Sequence, residues 1–138
     1  MHKMTVNEFI KKSIGARWVD RASTFEQMDC WGLVILYYRH VLGIELTPIT
    51  GYEDKQTTLQ VEALPEARRH WLPCGKINNA VFLAYLGDTP THVGIVIDNH
   101  ALHAKGNGEQ GGQVQYNKID AIEKMYTKVE YYKYADLL

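Results

Sequence analysis

Cys30 is the residue of this chain best placed for nucleophilic chemistry. It follows Asp29, a good helix N-cap, and opens the apolar run Cys30-Trp31-Gly32-Leu33-Val34-Ile35-Leu36-Tyr37-Tyr38-Arg39-His40-Val41-Leu42, which stops at Gly43. A cysteine in the first turn of a helix meets unpaired backbone N–H groups and the positive end of the helix dipole, and both favour the thiolate. A thiolate nucleophile also needs a base to manage protons and a third group to orient that base. The competing reading is a small buried hydrophobe, the commonest use of a free cysteine.

The histidines decide between these readings. His40 lies on the same helix as Cys30, roughly 15 Å further along it at 1.5 Å per residue. His2 stands at the terminus, and His70, beside Arg68 and Arg69, reads as a solvated helix face. His92, His100 and His103 remain. A two-residue turn at Asp98-Asn99 pairs Ile97 with His100 and Gly94 with His103. His92 and His103 then become diagonal neighbours on one face, and Gly94 leaves room for two imidazoles. Paired histidines also suit zinc. No Asp or Glu holds a matching position on these strands, however, and Cys74 lies in a distant loop, so a metal is the weaker reading and no cofactor is called for. Two histidines on an ordinary surface hairpin would have the same spacing.

Other features are weaker. The glycines at 106–112 lack the strand–loop–helix context of a phosphate site. Tyr131-Tyr132-Lys133-Tyr134 offers aromatic rings to a ligand or, more commonly, to cross-strand packing. Trp18, Trp31 and Trp71 can each line a groove or fill a core.

The elements that must hold these residues are readable in part. Thr5 and Glu8 form a capping box ahead of Val6, Phe9, Ile10 and Ile14 at helical spacing, with Lys11 and Lys12 in the last turn and Gly15 beyond it. Residues 16–28 have no period and read as a structured loop. The helix over 30–42 is apolar almost all round and is expected to be central and buried. Residues 47–76 suggest a turn at Gly51-Tyr52-Glu53-Asp54, a helix over about 56–64, another turn opened by Pro65, and a break at Pro73-Cys74-Gly75. Strands follow at 80–86, 92–97, 101–104, 114–116 and 129–134, with a short helix at 119–125. Helices first and an antiparallel sheet afterwards make the fold class α+β.

The 138 residues suffice for one domain, 1–138, with a real core. Lys and Arg number 15 against 16 Asp and Glu, a balance that argues against nucleic acid or an anionic membrane as partner. With 46% hydrophobic and 22% charged residues the composition is globular rather than disordered. No apolar run approaches the ~18–20 residues that span a bilayer. Met1-His2-Lys3-Met4-Thr5-Val6 is polar where a signal peptide is apolar, so synthesis in the cytosol without a secretion signal is expected. Two cysteines are too few for a disulfide framework.

Three boxes carry a resemblance: Asp29-Cys30-Trp31-Gly32-Leu33-Val34, Thr91-His92-Val93-Gly94-Ile95-Val96-Ile97 and Leu102-His103-Ala104. In order and separation, over roughly residues 14–134, they resemble the NlpC/P60 family of papain-like cysteine peptidases. The resemblance implies Cys30 as nucleophile, His92 as general base and acid, and His103 as the residue orienting it. The backbone N–H of Cys30 is implied in the oxyanion hole, with Trp18, Asp29 and Trp31 around the substrate groove. Trp18 stands where the family often has a tyrosine, and an indole N–H donates a hydrogen bond but accepts none. Trp31 replaces a common serine and removes a polar group from the groove.

Trp31, the segment Leu42-Gly43-Ile44-Glu45-Leu46 and the aromatic 131–134 stretch resemble the tail-assembly or tail-tip members of long-tailed bacteriophages. The implied function is an endopeptidase cutting the γ-D-glutamyl to diaminopimelate or lysine bond of peptidoglycan stems. It would be a virion tail component made in the host cytoplasm, acting in the periplasm or cell wall beside other phage tail proteins. The rival is a structural or assembly component of the tail with little or no peptidase activity. An amidase, acyltransferase or toxin on the same scaffold is a third reading.

Overall fold

A computed structural model describes residues 3–46, 71–107 and 110–134. The turn at 51–54, the helix at 56–64, the turn at Pro65, and His2 and His70 lie outside the described residues. Among the described residues six strands form one sheet in the order β1-β6-β2-β3-β4-β5: β1 (Trp71–Pro73), β2 (Val81–Leu86), β3 (Thr89–Ile97), β4 (His100–Asn107), β5 (Gly111–Lys118) and β6 (Lys128–Tyr134). The pairs β1/β6, β2/β6 and β2/β3 are antiparallel. With the helices, this is the α+β class that the sequence implies. The chain divides into two compact units, Met1–Pro48 with Leu102–Tyr116 and Ile49–Ala101 with Asn117–Leu138.

In the first unit, helix α1 (Val6–Ser13) begins with the expected capping box. The Glu8 N–H donates to Thr5 Oγ1 at 3.1 Å and the Thr5 N–H to Glu8 Oε1 at 2.8 Å. Phe9 is fully buried, its ring edge-on to Tyr37 at 5.2 Å and to Phe25 at 5.5 Å. Residues 15–18 run along β5. The Gly15 N–H donates to the Val114 carbonyl, the Val114 N–H to Ala16, and the Trp18 N–H to Gly112, all within 3.0 Å. Helix α2 (Cys30–Tyr37) buries six of its eight residues, as an apolar run without a polar face must. It then continues as a π-helical turn, Tyr38–Leu42, where the sequence implied an α-helix to residue 42. Adjacent Tyr37 and Tyr38 are both fully buried, and wider winding re-aims the residues that follow them. Gly43 ends the element at φ 73°, a left-handed position that favours glycine.

In the second unit, Ala80, Phe82, Ala84, Val96 and Ala101 pack against Ile119 and Ile122 of helix α3 (Ile119–Met125), whose bounds match the sequence expectation. The Asp98-Asn99 turn has both residues at positive φ, 51° and 60°, as a type I′ hairpin turn requires. Asn78 clasps it, its Oδ1 accepting the Asp98 N–H at 2.8 Å. Three expectations are corrected here. β3 begins at Thr89, so Gly87-Asp88 alone forms the preceding turn; Pro90 is accommodated beside a bulge between Ala84 and Tyr85. Trp71–Pro73 is a strand ahead of the expected break, which follows from Cys74, and an edge strand tolerates its proline. The glycine-rich stretch is largely strand, with β4 running to Asn107 and β5 starting at Gly111.

The tyrosines of β6 are structural in their surroundings. Tyr131 donates to Glu123 Oε2 at 2.6 Å, while Tyr132 and Tyr85 both donate to Glu130 Oε1 at 2.7 Å. Tyr134 meets Trp71 edge-on at 4.9 Å across the β1/β6 pair. These are the cross-strand contacts that stabilise a sheet.

Candidate active site

Cys30 is the first residue of α2 and is half-buried. Its position is set by Asp29, which is 3% exposed and uses both carboxylate oxygens. Oδ1 accepts the Gly32 N–H at 2.7 Å and Oδ2 accepts the Arg21 N–H at 2.7 Å. The Asp29 N–H donates to the Ala22 carbonyl at 3.0 Å. One carboxylate thus caps the helix and fastens the 16–28 loop to its first turn. Arg21 sits at φ 64°, an uncommon conformation for arginine, and its bond to Asp29 helps to hold it there. Gly32 follows from the same approach: a Cβ at this position would overlap the Ala22 carbonyl oxygen.

This geometry assigns Asp29 to holding the helix start, with little surface left for a groove. Trp31 is 4% exposed and belongs to the core, so it presents almost none of its indole to solvent. Trp18 is half-buried over β4. A Cβ on Gly106 would come within 2.7 Å of the Trp18 side chain, and one on Gly112, at φ 149°, would overlap the Lys105 carbonyl oxygen. The glycines of this hairpin therefore make room for close packing by Trp18 and the neighbouring backbone, a use that their sequence pattern did not disclose.

Cys30, Asp29, Trp31, Trp18 and His103 belong to the first unit, and His92 to the second. His103 lies on β4 with 1% of its surface exposed. His92 lies on β3, 7% exposed, opposite Ala84 of β2. Its ring is tilted against Phe82 at 5.8 Å and nearly parallel to Tyr126, with an 11° interplanar angle and centroids 5.9 Å apart. His100 is at the hairpin turn, its Nδ1 2.7 Å from the Asp98 carbonyl oxygen. Sequence reasoning missed Phe82 and Tyr126, since neither lies in a box and only the fold brings them to His92. Among the described residues, no group of three His, Cys, Asp or Glu side chains is arranged to hold a metal.

The model of the NlpC/P60 family matches residues 15–134. The chain belongs to the NlpC/P60 family. Among solved structures it is similar to NlpC1 from Trichomonas vaginalis, with a TM-score of 0.58 and 19% identity over 91% of this chain and 41% of that one. It is similar to the NlpC/p60 domain of the peptidoglycan hydrolase SagA, with a TM-score of 0.56 and 18% identity over 92% of both chains. A lipoprotein-like NLP/P60 protein from Staphylococcus aureus gives a TM-score of 0.51 and 19% identity over 90% of this chain and 38% of that one. The chain thus spans well under half of the T. vaginalis and S. aureus proteins. At these identities the likeness is one of fold. No curated relative matches the chain.

Proposed function

We propose that this NlpC/P60 chain is a cysteine endopeptidase acting on the peptide stems of bacterial peptidoglycan, at the bond between γ-D-glutamate and diaminopimelate or lysine. The observation that carries the reading is Cys30 itself. It is half-buried in the first turn of a buried helix whose start is capped by Asp29, inside a family match spanning 15–134. The fold likeness to a peptidoglycan hydrolase domain supports the substrate class.

In this reading the thiol of Cys30 gives its proton to His92 and the thiolate attacks the scissile carbonyl. The tetrahedral oxyanion accepts the backbone N–H of Cys30, and imidazolium His92 protonates the leaving amine. Water then attacks the thioester with His92 as base, releasing the acid and restoring the thiol. His103 orients His92. The order and separation of the three boxes support these roles. Trp31, the 42–46 segment and the aromatic 131–134 stretch support placing the enzyme in a phage tail, acting at the host wall with other tail proteins.

The test is mass spectrometry of muropeptides of both stem types incubated with the chain, beside Cys30→Ala. A cut stem with the native chain alone supports the peptidase and identifies its bond. Cleavage by both proteins refutes Cys30 as nucleophile. No cleavage of either stem type refutes an autonomous peptidase and favours the tail-assembly role.

A further inference from the structure

The proposed acid–base residue, His92, packs against two aromatic rings, and both come from outside the three boxes. Phe82 lies on the neighbouring strand and is fully buried. Tyr126 is the residue at which α3 ends. Its backbone is secured from both sides. The Tyr126 N–H donates to the Ile122 carbonyl at 3.3 Å, and the next residue, Thr127, donates its N–H to Tyr85 at 2.8 Å. Thr127 Oγ1 in turn accepts the Gly87 N–H at 2.9 Å. Tyr126 also packs against the core cluster that includes Phe82, Ala84 and Ile122. Tyr126 is therefore a fixed surface, and its ring lies nearly parallel to the imidazole at an offset typical of stacked aromatic pairs.

We propose that Tyr126 is a positioning residue for His92: together with Phe82 it fixes the plane of the imidazole, and the short α3 helix exists in part to deliver it. This rests on the reading of His92 as the proton carrier. The χ2 of an imidazole is a torsion with broad minima. A transfer from sulfur and then to a leaving nitrogen needs the same ring nitrogen to face both atoms at hydrogen-bond range. A parallel ring and a tilted ring packed against the imidazole restrict that torsion. The aromatic face does this, and the phenol hydroxyl is not required.

The experiment uses the full chain with Tyr126→Phe and Tyr126→Leu, with Tyr126→Met if the leucine variant fails to fold. Steady-state kcat and KM are measured on the cleaved stem peptide, beside the His92 ring resonances in an NMR spectrum. Phenylalanine should keep kcat within about twofold, whereas leucine should lower it about tenfold with KM little changed, as expected when a reacting group is misaligned and substrate binding is intact. The His92 ring protons should move in the leucine variant, which lacks the ring current, and stay in place in the phenylalanine variant. An active native chain with a fully active, folded leucine or methionine variant overturns the inference alone. Equal losses in the phenylalanine and leucine variants also overturn it, since the hydroxyl would then be the acting group. A native chain that cuts no stem refutes the peptidase reading first and the inference with it.

Discussion

Removing the Asp29 carboxylate tests whether this residue fastens the helix start or serves the substrate. In Asp29→Ala two backbone donors lose their acceptor together, Gly32 at 2.7 Å from Oδ1 and Arg21 at 2.7 Å from Oδ2. Loss of an N-cap acceptor costs about 0.5–2 kcal/mol. Stranding the Arg21 N–H adds about 1–3 kcal/mol, with the lower end appropriate because that bond is only part-buried. The expected loss is about 2–4 kcal/mol, a large share of the ~5–15 kcal/mol that holds a typical domain together. Asp29→Asn keeps one oxygen for Gly32 but sets an amide NH₂ against the Arg21 N–H, so it should lose about half as much, ~1–2 kcal/mol. Urea unfolding followed by tryptophan fluorescence reads both as lower midpoints at unchanged slope. A loss below about 0.5 kcal/mol in Asp29→Ala, the scale of an ordinary surface change, would refute the reasoning. So would a raised KM with native stability, the signature of a residue in the groove.

Three further outcomes concern Gly32 of the same network and, separately, Glu123 and Cys74 of the second unit. Gly32→Ala should lower stability by about 1–3 kcal/mol in thermal unfolding, because overlap with the Ala22 carbonyl outweighs the ~1 kcal/mol by which alanine favours a helix. The hydrogen bond from Tyr131 holds the Glu123 carboxyl below its ordinary range, against burial and with help from Lys76. A depressed carboxylate contributes stability above its unfolded pKa, about 4.3, and loses it as pH falls through the folded value. The stability difference between the native chain and Tyr131→Phe, measured by urea titration from pH 7 to pH 3, should therefore shrink on the acid side. Burial pushes the Cys74 thiol up, with Lys133 pulling the other way. Iodoacetamide labelling of Cys30→Ala, read by mass spectrometry at neutral pH, should accordingly be slow and should accelerate above the ordinary cysteine range.

How much of this was legible varies with the range of the forces involved. The caps at Thr5 and Asp29, the stop at Gly43, the Asp98-Asn99 turn and helix 119–125 were readable because each is fixed by neighbours in sequence. The strand at Trp71 was not, because among the described residues its strand partner is β6, more than fifty residues away, and its own composition includes a proline. The π-helical turn was equally hidden. An all-apolar helix carries no periodicity from which a change of winding can be read.

The box around Cys30 was legible for a different reason, and its residues divide sharply in what they do. Asp29 is consumed by two backbone donors, Trp31 by the core, and Gly32 by the approach of the Ala22 carbonyl. Each neighbour of Cys30 therefore has a structural occupation that would persist if no reaction took place. The motif describes how a loop and a helix start are joined, with Cys30 as the first residue of that helix. This is why an intact box argues for a preserved fold more strongly than for turnover. The decisive substitution in this box is accordingly Cys30→Ala, in which a change in activity can be separated from a change in stability.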